Sequence, residues 1–267
     1  EVVKIGAEVA SEWLSQPVII NPNNNWGENE RVQAKNYHVL GLPKDGTLAE
    51  YIIVNADRLH KKPLFLSDTE AAALPLAGLT AYRALFTRAG LQKGEKVLIS
   101  GIGGGVALFA MQFAIAAGAE VYVTSSSDAK IAQAKVLGAM GGANYRTENW
   151  QKGFLKTVGE MDVVIDSAGG NGFAQLVDTL SAGGRIAFYG GGQGLINNLS
   201  PQKVFWKQIS IFGSTMGSDS EFAKMLDFVE RHQLKPVIDS VFDLENGRAA
   251  FAKMESGAQF GKIVVRI

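Results

Sequence analysis

The stretch Ser100-Gly101-Ile102-Gly103-Gly104-Gly105-Val106-Ala107 has the residue types and the setting to hold a phosphate. It follows the short apolar run Val97–Ser100 and precedes Val106–Ala117, which is apolar nearly all round and rich in alanine. A strand that turns on glycines into a helix brings backbone N–H groups and the positive end of the helix dipole to one point, and glycine lets a pyrophosphate come close. The strict G-x-G-x-x-G spacing is absent. With Ala107 as the small residue packing helix on sheet, Gly104 takes the close-approach position and Ile102 stands where the first glycine would be. A tight turn without ligand is the competing reading, and the flanking strand and helix argue against it.

The end of the second strand bears on which dinucleotide would fit. An NAD site places Asp or Glu there to bond the ribose hydroxyls. Here Val121-Tyr122-Val123 closes on Thr124-Ser125-Ser126-Ser127, small and neutral, so a 2′-phosphate meets no repulsion. Lys130, one turn into the next helix, and Asn144-Tyr145-Arg146, ending the neighbouring strand, make up a phosphate cradle; a solvated lysine and a surface arginine are the bland alternatives. Asp128 opposes this reading, but its place at the helix start reads as a cap.

These residues need a parallel sheet to bring them together. From Lys96 onward, strands are expected at Val97–Ser100, Val121–Thr124, Ala143–Tyr145, Val163–Asp166, Ile186–Tyr189 and Ile209–Gly213. Helices are expected at Val106–Ala117, Ala129–Leu137, Asn149–Val158 and Phe173–Leu180. Runs of Val, Ile and Phe alternating with helices mean an α/β fold with both faces of the sheet covered, and six such strands fit the Rossmann order 3-2-1-4-5-6. Residues 1–75 read as β and loop, with strands at Val2–Ile5, Val18–Ile20 and Leu48–Val54 and a turn-rich excursion over Asn21–Gly46. Ser67 and Glu70 have capping-box spacing, and Pro75 should divide the helical run that follows into two helices meeting near Leu76–Gly78. Ser218 and Glu221 repeat that spacing and open a helix to Arg231, Asp243–Met254 is a last helix stopped by Gly257, and Lys262–Ile267 is a closing strand.

Composition narrows the function classes. At about one domain per 150 residues, the 267 residues suggest two domains. Net charge is zero, against the basic excess of a nucleic-acid binder or a polybasic membrane patch. No long apolar stretch suggests a membrane span and no leader is recognisable, so a cytoplasmic setting is expected. With no cysteine, disulfides, thiolate nucleophiles and cysteine-held zinc are excluded, and His38, His60 and His232 stand too far apart in sequence for a helical ligand pair.

Leu76-Ala77-Gly78-Leu79-Thr80-Ala81-Tyr82, the Gly104-Gly105-Val106 turn, Asn144-Tyr145-Arg146, Asp166-Ser167-Ala168-Gly169, the Leu180–Arg185 hairpin and the terminal Gly261-Lys262-Ile263-Val264 stand in order along the whole chain. By these marks the chain resembles the medium-chain dehydrogenase/reductase superfamily, and within it the zinc-free quinone oxidoreductase-like branch. The resemblance implies a GroES-like catalytic domain at residues 1–78 and 236–267 around an NADP-binding Rossmann domain at 79–235, with the active site in the cleft between them. It assigns the pyrophosphate to the turn at Gly103, Gly104, Gly105 and Val106, and the 2′-phosphate end to Ser126, Lys130 and Tyr145. Ser167 and Ala168 then line the adenosine side, Gly190 and Gly191 lie by the nicotinamide ribose, Phe212, Gly213 and Ser214 meet the carboxamide, and Thr80 packs near the nicotinamide. Leu76 stands where zinc-dependent members carry a ligand, so no metal is expected. Glu1–Gly6 resembles a strand that the family reaches only after several dozen residues, so the catalytic domain is expected to be N-terminally incomplete.

The implied activity is hydride transfer from NADPH to a small quinone or enone, whose developing charge is delocalised and needs no Lewis acid. Tyr51, Tyr82, Tyr189 or water are candidate proton donors by type alone. A short-chain dehydrogenase is excluded because no tyrosine has lysine four residues later, and a methyltransferase because Thr124-Ser125 supplies no ribose-binding acid. An NADPH-binding protein with little catalysis, of the crystallin kind, is the alternative. The resemblance implies that the sixth strand pairs with its twin in a homodimer; an edge shielded by Ser214–Ser220 is the competing reading.

Overall fold

A computed structural model describes residues 1–267. Its contacts divide the chain into two compact units, one formed by Glu1–Leu79 with Gly217–Ile267 and the other by Thr80–Met216.

The first stretch contains β1 (Val18–Ile20), β2 (Asn23–Asn24), β3 (His38–Val39) and β4 (Leu59–Lys61), with β1 antiparallel to β4 and β2 to β3. The strands expected at Val2–Ile5 and Leu48–Val54 do not form. An apolar run becomes a strand only where a neighbour supplies ladder partners. Val2 instead exchanges hydrogen bonds with the bend at Ser15 and Gln16, and in the second stretch Ile53 is 99% exposed. Helix α1 (Asp68–Ala73) starts on the expected capping box, with Ser67 Oγ accepting from Glu70 N and Glu70 Oε2 from Ser67 N. Helix α2 (Pro75–Tyr82) begins on the proline itself, slightly earlier than the expected junction at Leu76–Gly78. Proline is accepted there because the first helical N–H has no partner to lose. A π-helical turn, Arg83–Arg88, continues from α2.

The second unit is built on β5 (Lys96–Ile99), α3 (Gly105–Ala116), β6 (Glu120–Ser125), α4 (Asp128–Val136), β7 (Gly141–Asn144), α5 (Trp150–Val158), β8 (Met161–Asp166), α6 (Phe173–Asp178), β9 (Leu180–Phe188), α7 (Pro201–Trp206) and β10 (Ser210–Gly213). The strands form one six-stranded parallel sheet in the order β7-β6-β5-β8-β9-β10, which is the expected 3-2-1-4-5-6. Val97, Leu98 and Ile99 in β5 and Val163, Val164 and Ile165 in β8 are fully buried, as strands covered on both faces must be. The expected Leu180–Arg185 hairpin is an irregular opening to β9, where the register with β8 slips and Gly183 adopts φ +74°. Helix α7 was not expected; Ser200-Pro201, a proline at the first helical position, was the available signal.

The chain closes with α8 (Asp219–Arg231), β11 (Ile238–Asp243), α9 (Gly247–Ser256) and β12 (Lys262–Arg266). Strand β11, also unexpected, runs parallel to β12, and Gly257 ends α9 in the left-handed conformation. Residues 217–235, expected in the nucleotide-binding domain, include α8, which the contacts group with the first unit. The reason lies in its partners. Asp219 Oδ1 accepts from Asn21 Nδ2 (2.9 Å) and Arg58 Nη1 (2.6 Å), Asn23 Nδ2 donates to Gly217 O (2.6 Å), and the Phe222 ring lies 4.8 Å from that of His60. No helix is long and apolar enough to cross a membrane.

Candidate functional site

The glycine turn leaves β5 and enters α3 at the C-terminal edge of the sheet. Ile102 is buried and its N–H donates to Thr124 O (2.8 Å), tying the turn to β6. Gly103 turns the chain at φ +125°. Gly104 is the N-cap of α3, extended at φ −74° and ψ 149°, and no side chain caps the helix. A Cβ at Gly104 would meet no protein atom within 4 Å. The fold does not itself require glycine there; what its absence of side chain provides is open space above an uncapped helix end. Gly105 is the first helical residue, and Val106 beside it is half-buried.

A cavity of about 500 Å³ lies at the C-terminal ends of β5, β6, β7 and β8. Ser100 and Gly101 line it from β5, Thr124 from β6, Tyr145 and Arg146 from β7, and Asp166, Ala168 and Gly169 from β8. This is where open parallel sheets reverse their strand order and bind ligands. Tyr145 and Ala168 of the predicted set therefore reach the cavity, while Ser126 and Lys130 are not among its lining residues. Ser126 and Lys130 sit at the start of α4, whose cap is Ser127, its Oγ accepting from Lys130 N. Asp128, read as the cap, is the first helical residue, and its Oδ1 accepts from Asn144 Nδ2 (3.1 Å). Asn144 Oδ1 in turn accepts from Arg146 N (3.0 Å), so one asparagine orders both strand ends.

Asp166, for which the sequence suggests no role beyond closing a strand, is 1% exposed. Its Oδ1 accepts from Ser100 Oγ and its Oδ2 from Gly169 N (2.8 Å), while Ser167 N donates to Ser100 Oγ (3.3 Å). One buried carboxylate thus ties together the turns after β5 and β8. An acid closing the apolar run Val163–Ile165 was the signal that could have found it. Gly190 packs so closely on the same turn that a Cβ would come within 2.2 Å of Ser167 O, while at Gly191 a Cβ would meet nothing. Tyr189 hydrogen-bonds Ser167, and burial, reinforced by the Asp166 charge, holds its hydroxyl above the usual phenol range and therefore protonated.

At the end of β10, Ser214 N donates to Phe188 O (2.8 Å), and Ser214 Oγ is buried with no hydrogen-bond partner. Phe212 is half-buried, and Gly213 is the last strand residue. Thr80 is buried, with its Oγ1 3.6 Å from Met216 Sδ. Of the tyrosines considered as proton donors, Tyr51 lies exposed outside any strand and Tyr82 packs on Phe86 and Phe113. No three His, Cys, Asp or Glu side chains converge as a metal-ligand group.

Residues 105–231 match the family model described as zinc-binding dehydrogenase. The whole chain is 35% identical over 290 residues to the zinc-type alcohol dehydrogenase-like protein YogA of Leptosphaeria maculans, covering 80% of that protein. It is 30% identical over 241 residues to quinone oxidoreductase-like protein 2 of Bos taurus, with 86% of this chain and 69% of that protein aligned. A crystal structure of an NAD-dependent alcohol dehydrogenase superposes with a TM-score of 0.92 at 35% identity, over 99% of this chain and 80% of the other. With the sheet order and the glycine turn, these likenesses establish that the chain belongs to the medium-chain dehydrogenase/reductase superfamily of oxidoreductases.

Proposed function

We propose that this oxidoreductase uses NADPH to reduce a small substrate whose carbonyl is conjugated, a quinone or an enone, without zinc. The observation that carries the coenzyme reading is the end of β6. Thr124 and Ser125 are neutral and buried, Asp128 is engaged by Asn144, and Arg146 lines the cavity. A 2′-phosphate would find a cation there and no acid among the strand-closing residues Thr124–Ser127, and charge-assisted bonds to phosphate are the strong ones. The residues present also fit the rest of a dinucleotide. The uncapped start of α3 offers N–H groups to a pyrophosphate, the open space over Gly104 admits it, and the unpaired Ser214 Oγ offers a polar contact at the far end.

When bound, the nicotinamide supplies the hydride. The protein's part is to hold it in register: Gly103–Val106 at the diphosphate, Ser126, Lys130, Tyr145 and Arg146 at the phosphorylated ribose, Ser167 and Ala168 at the adenosine, Gly190 and Gly191 at the second ribose, and Thr80 with Phe212–Ser214 at the nicotinamide. The zinc-free part rests on the absence of cysteine and on Leu76 at the ligand position ahead of Gly78-Leu79-Thr80. A quinone or enone spreads the charge that zinc would otherwise stabilise. A second reading, binding without turnover, draws on the state of the tyrosines, since Tyr189 is already bonded to Ser167 and Tyr82 sits in an aromatic group.

Titration with NADPH and NADH, followed by nicotinamide fluorescence, tests the coenzyme. NADPH should bind about tenfold or more tightly than NADH, and Lys130→Ala or Arg146→Ala should each weaken NADPH by about tenfold while leaving NADH nearly unchanged. The likeness to an NAD-dependent enzyme makes this the first quantity to measure; equal affinities, indifferent to both substitutions, would remove the assignment. Oxidation of NADPH on adding a naphthoquinone or a simple enone separates catalysis from binding alone.

A further inference from the structure

The peptide unit joining Gly213 to Ser214 is held from both sides. Its N–H, on Ser214, donates to Phe188 O at 2.8 Å, which continues the β9–β10 ladder by one residue. Its carbonyl, on Gly213, accepts from Arg88 Nε at 2.8 Å. The same guanidinium lies 5.5 Å from the centroid of the Phe212 ring, within the range of a cation–π contact. Arg88 ends the π-helical turn Arg83–Arg88, in which Ala89 N reaches back five residues to Ala84 O. π-Turns inside helices recur at functional sites, where they re-aim a side chain.

A strand end at the edge of a sheet has a ladder on one side only, and β10 pairs with β9 alone. Without a second anchor the last peptide would be free to rotate about the flanking bonds. Arg88 supplies that anchor, and a planar, permanently charged fork holds a carbonyl and a ring in one orientation better than a flexible ammonium does. What the anchored peptide presents is Ser214, whose buried hydroxyl has no partner within the chain. An unpartnered buried hydroxyl costs free energy unless a ligand satisfies it.

We infer that Arg88 is a positioning residue for the nicotinamide end of the cofactor: it fixes the Gly213–Ser214 peptide so that the Ser214 hydroxyl meets the carboxamide. This rests on the cofactor reading above, and the test separates the two. Calorimetry compares NADPH with 2′-phospho-ADP-ribose, which carries the adenosine, 2′-phosphate and diphosphate but no nicotinamide. Arg88→Gln should weaken NADPH by about tenfold and leave the fragment within about twofold. Ser214→Ala should do the same, the double variant should lose little more than either single one, and Arg88→Lys should recover only part of the loss. The blue shift of bound nicotinamide fluorescence should shrink in Arg88→Gln, a change that general loosening of the fold would not confine to the nicotinamide end. The inference is overturned if Arg88→Gln leaves NADPH binding unaltered, or if it weakens NADPH and the fragment equally. It falls together with the cofactor reading if the unsubstituted protein binds neither. Should Arg88→Gln fail to fold, the Arg88→Lys and Ser214→Ala comparison decides by the same criterion.

Discussion

His60, on β4, is half-buried against Phe222, with Arg58 and Asp219 nearby. Burial lowers its pKa below the ordinary value of 6.5, the Arg58 charge adds to the effect, and Asp219 opposes it. The folded state therefore holds this imidazole neutral to lower pH than the unfolded chain does. Below 6.5 the unfolded state binds more protons, so stability should fall as pH drops through that value toward the folded pKa and be insensitive to His60 above it. Thermal midpoints between roughly pH 8 and roughly pH 5 should show this slope, and His60→Phe should flatten it. At the same scale, Asp166 and Arg88 escaped sequence reasoning for one reason. Each acts on a group distant in sequence, the Ser100 hydroxyl for the acid and the Gly213 carbonyl for the arginine, and no local pattern encodes those partners.

Among the elements, α8 has the clearest link from sequence to stability. Ser218 and Glu221 close a capping box, with Glu221 Oε2 accepting from Ser218 N at 2.6 Å. Glu30, from the excursion between β2 and β3, also accepts from Ser218 Oγ and from Ser220 Oγ (2.8 Å). Ser218→Ala removes the cap and one anchor of that excursion, and should cost about 1 to 2 kcal/mol in chemical denaturation. Ser220→Ala, outside the box, should cost less. The two boxes and the glycine end of α9 were legible because caps are local: their chemistry lies within four residues. Strands were legible only where apolar runs met partners. Val121–Thr124 became β6, Leu48–Val54 remained unpaired, and β11 formed over a stretch that had not been read as a strand.

For the molecule as a whole, β10 leaves one side of the six-stranded sheet open. Ile211 on that strand is exposed, and Trp206 at the end of the preceding α7 is 83% exposed. An open edge beside apolar surface is a liability for a lone chain, and pairing with its twin across a two-fold axis would remove it. We therefore propose a homodimer through β10. Sedimentation velocity should give a dimer, and Ile211→Lys, which puts a charge on the edge strand, should shift it toward monomer. A monomer at micromolar concentration in the unsubstituted protein would leave the edge to be protected by Ser214–Ser220 instead.

What the sequence by itself determined is the order of the six strands in Thr80–Met216 and the class of the elements between them, α7 excepted. Hydrophobic period and turn residues are properties of short windows, and alternating strand and helix windows admit few arrangements of a parallel sheet. The glycine turn and the neutral end of β6 were visible for the same reason. Only the tertiary structure decided that Tyr145, Arg146, Ala168 and Asp166 share one cavity, that α8 packs with the chain's opening segment, and that Arg88 holds the end of β10. Each of these joins residues separated by tens to nearly two hundred positions, and such contacts are selected by the burial and hydrogen bonding of the whole fold.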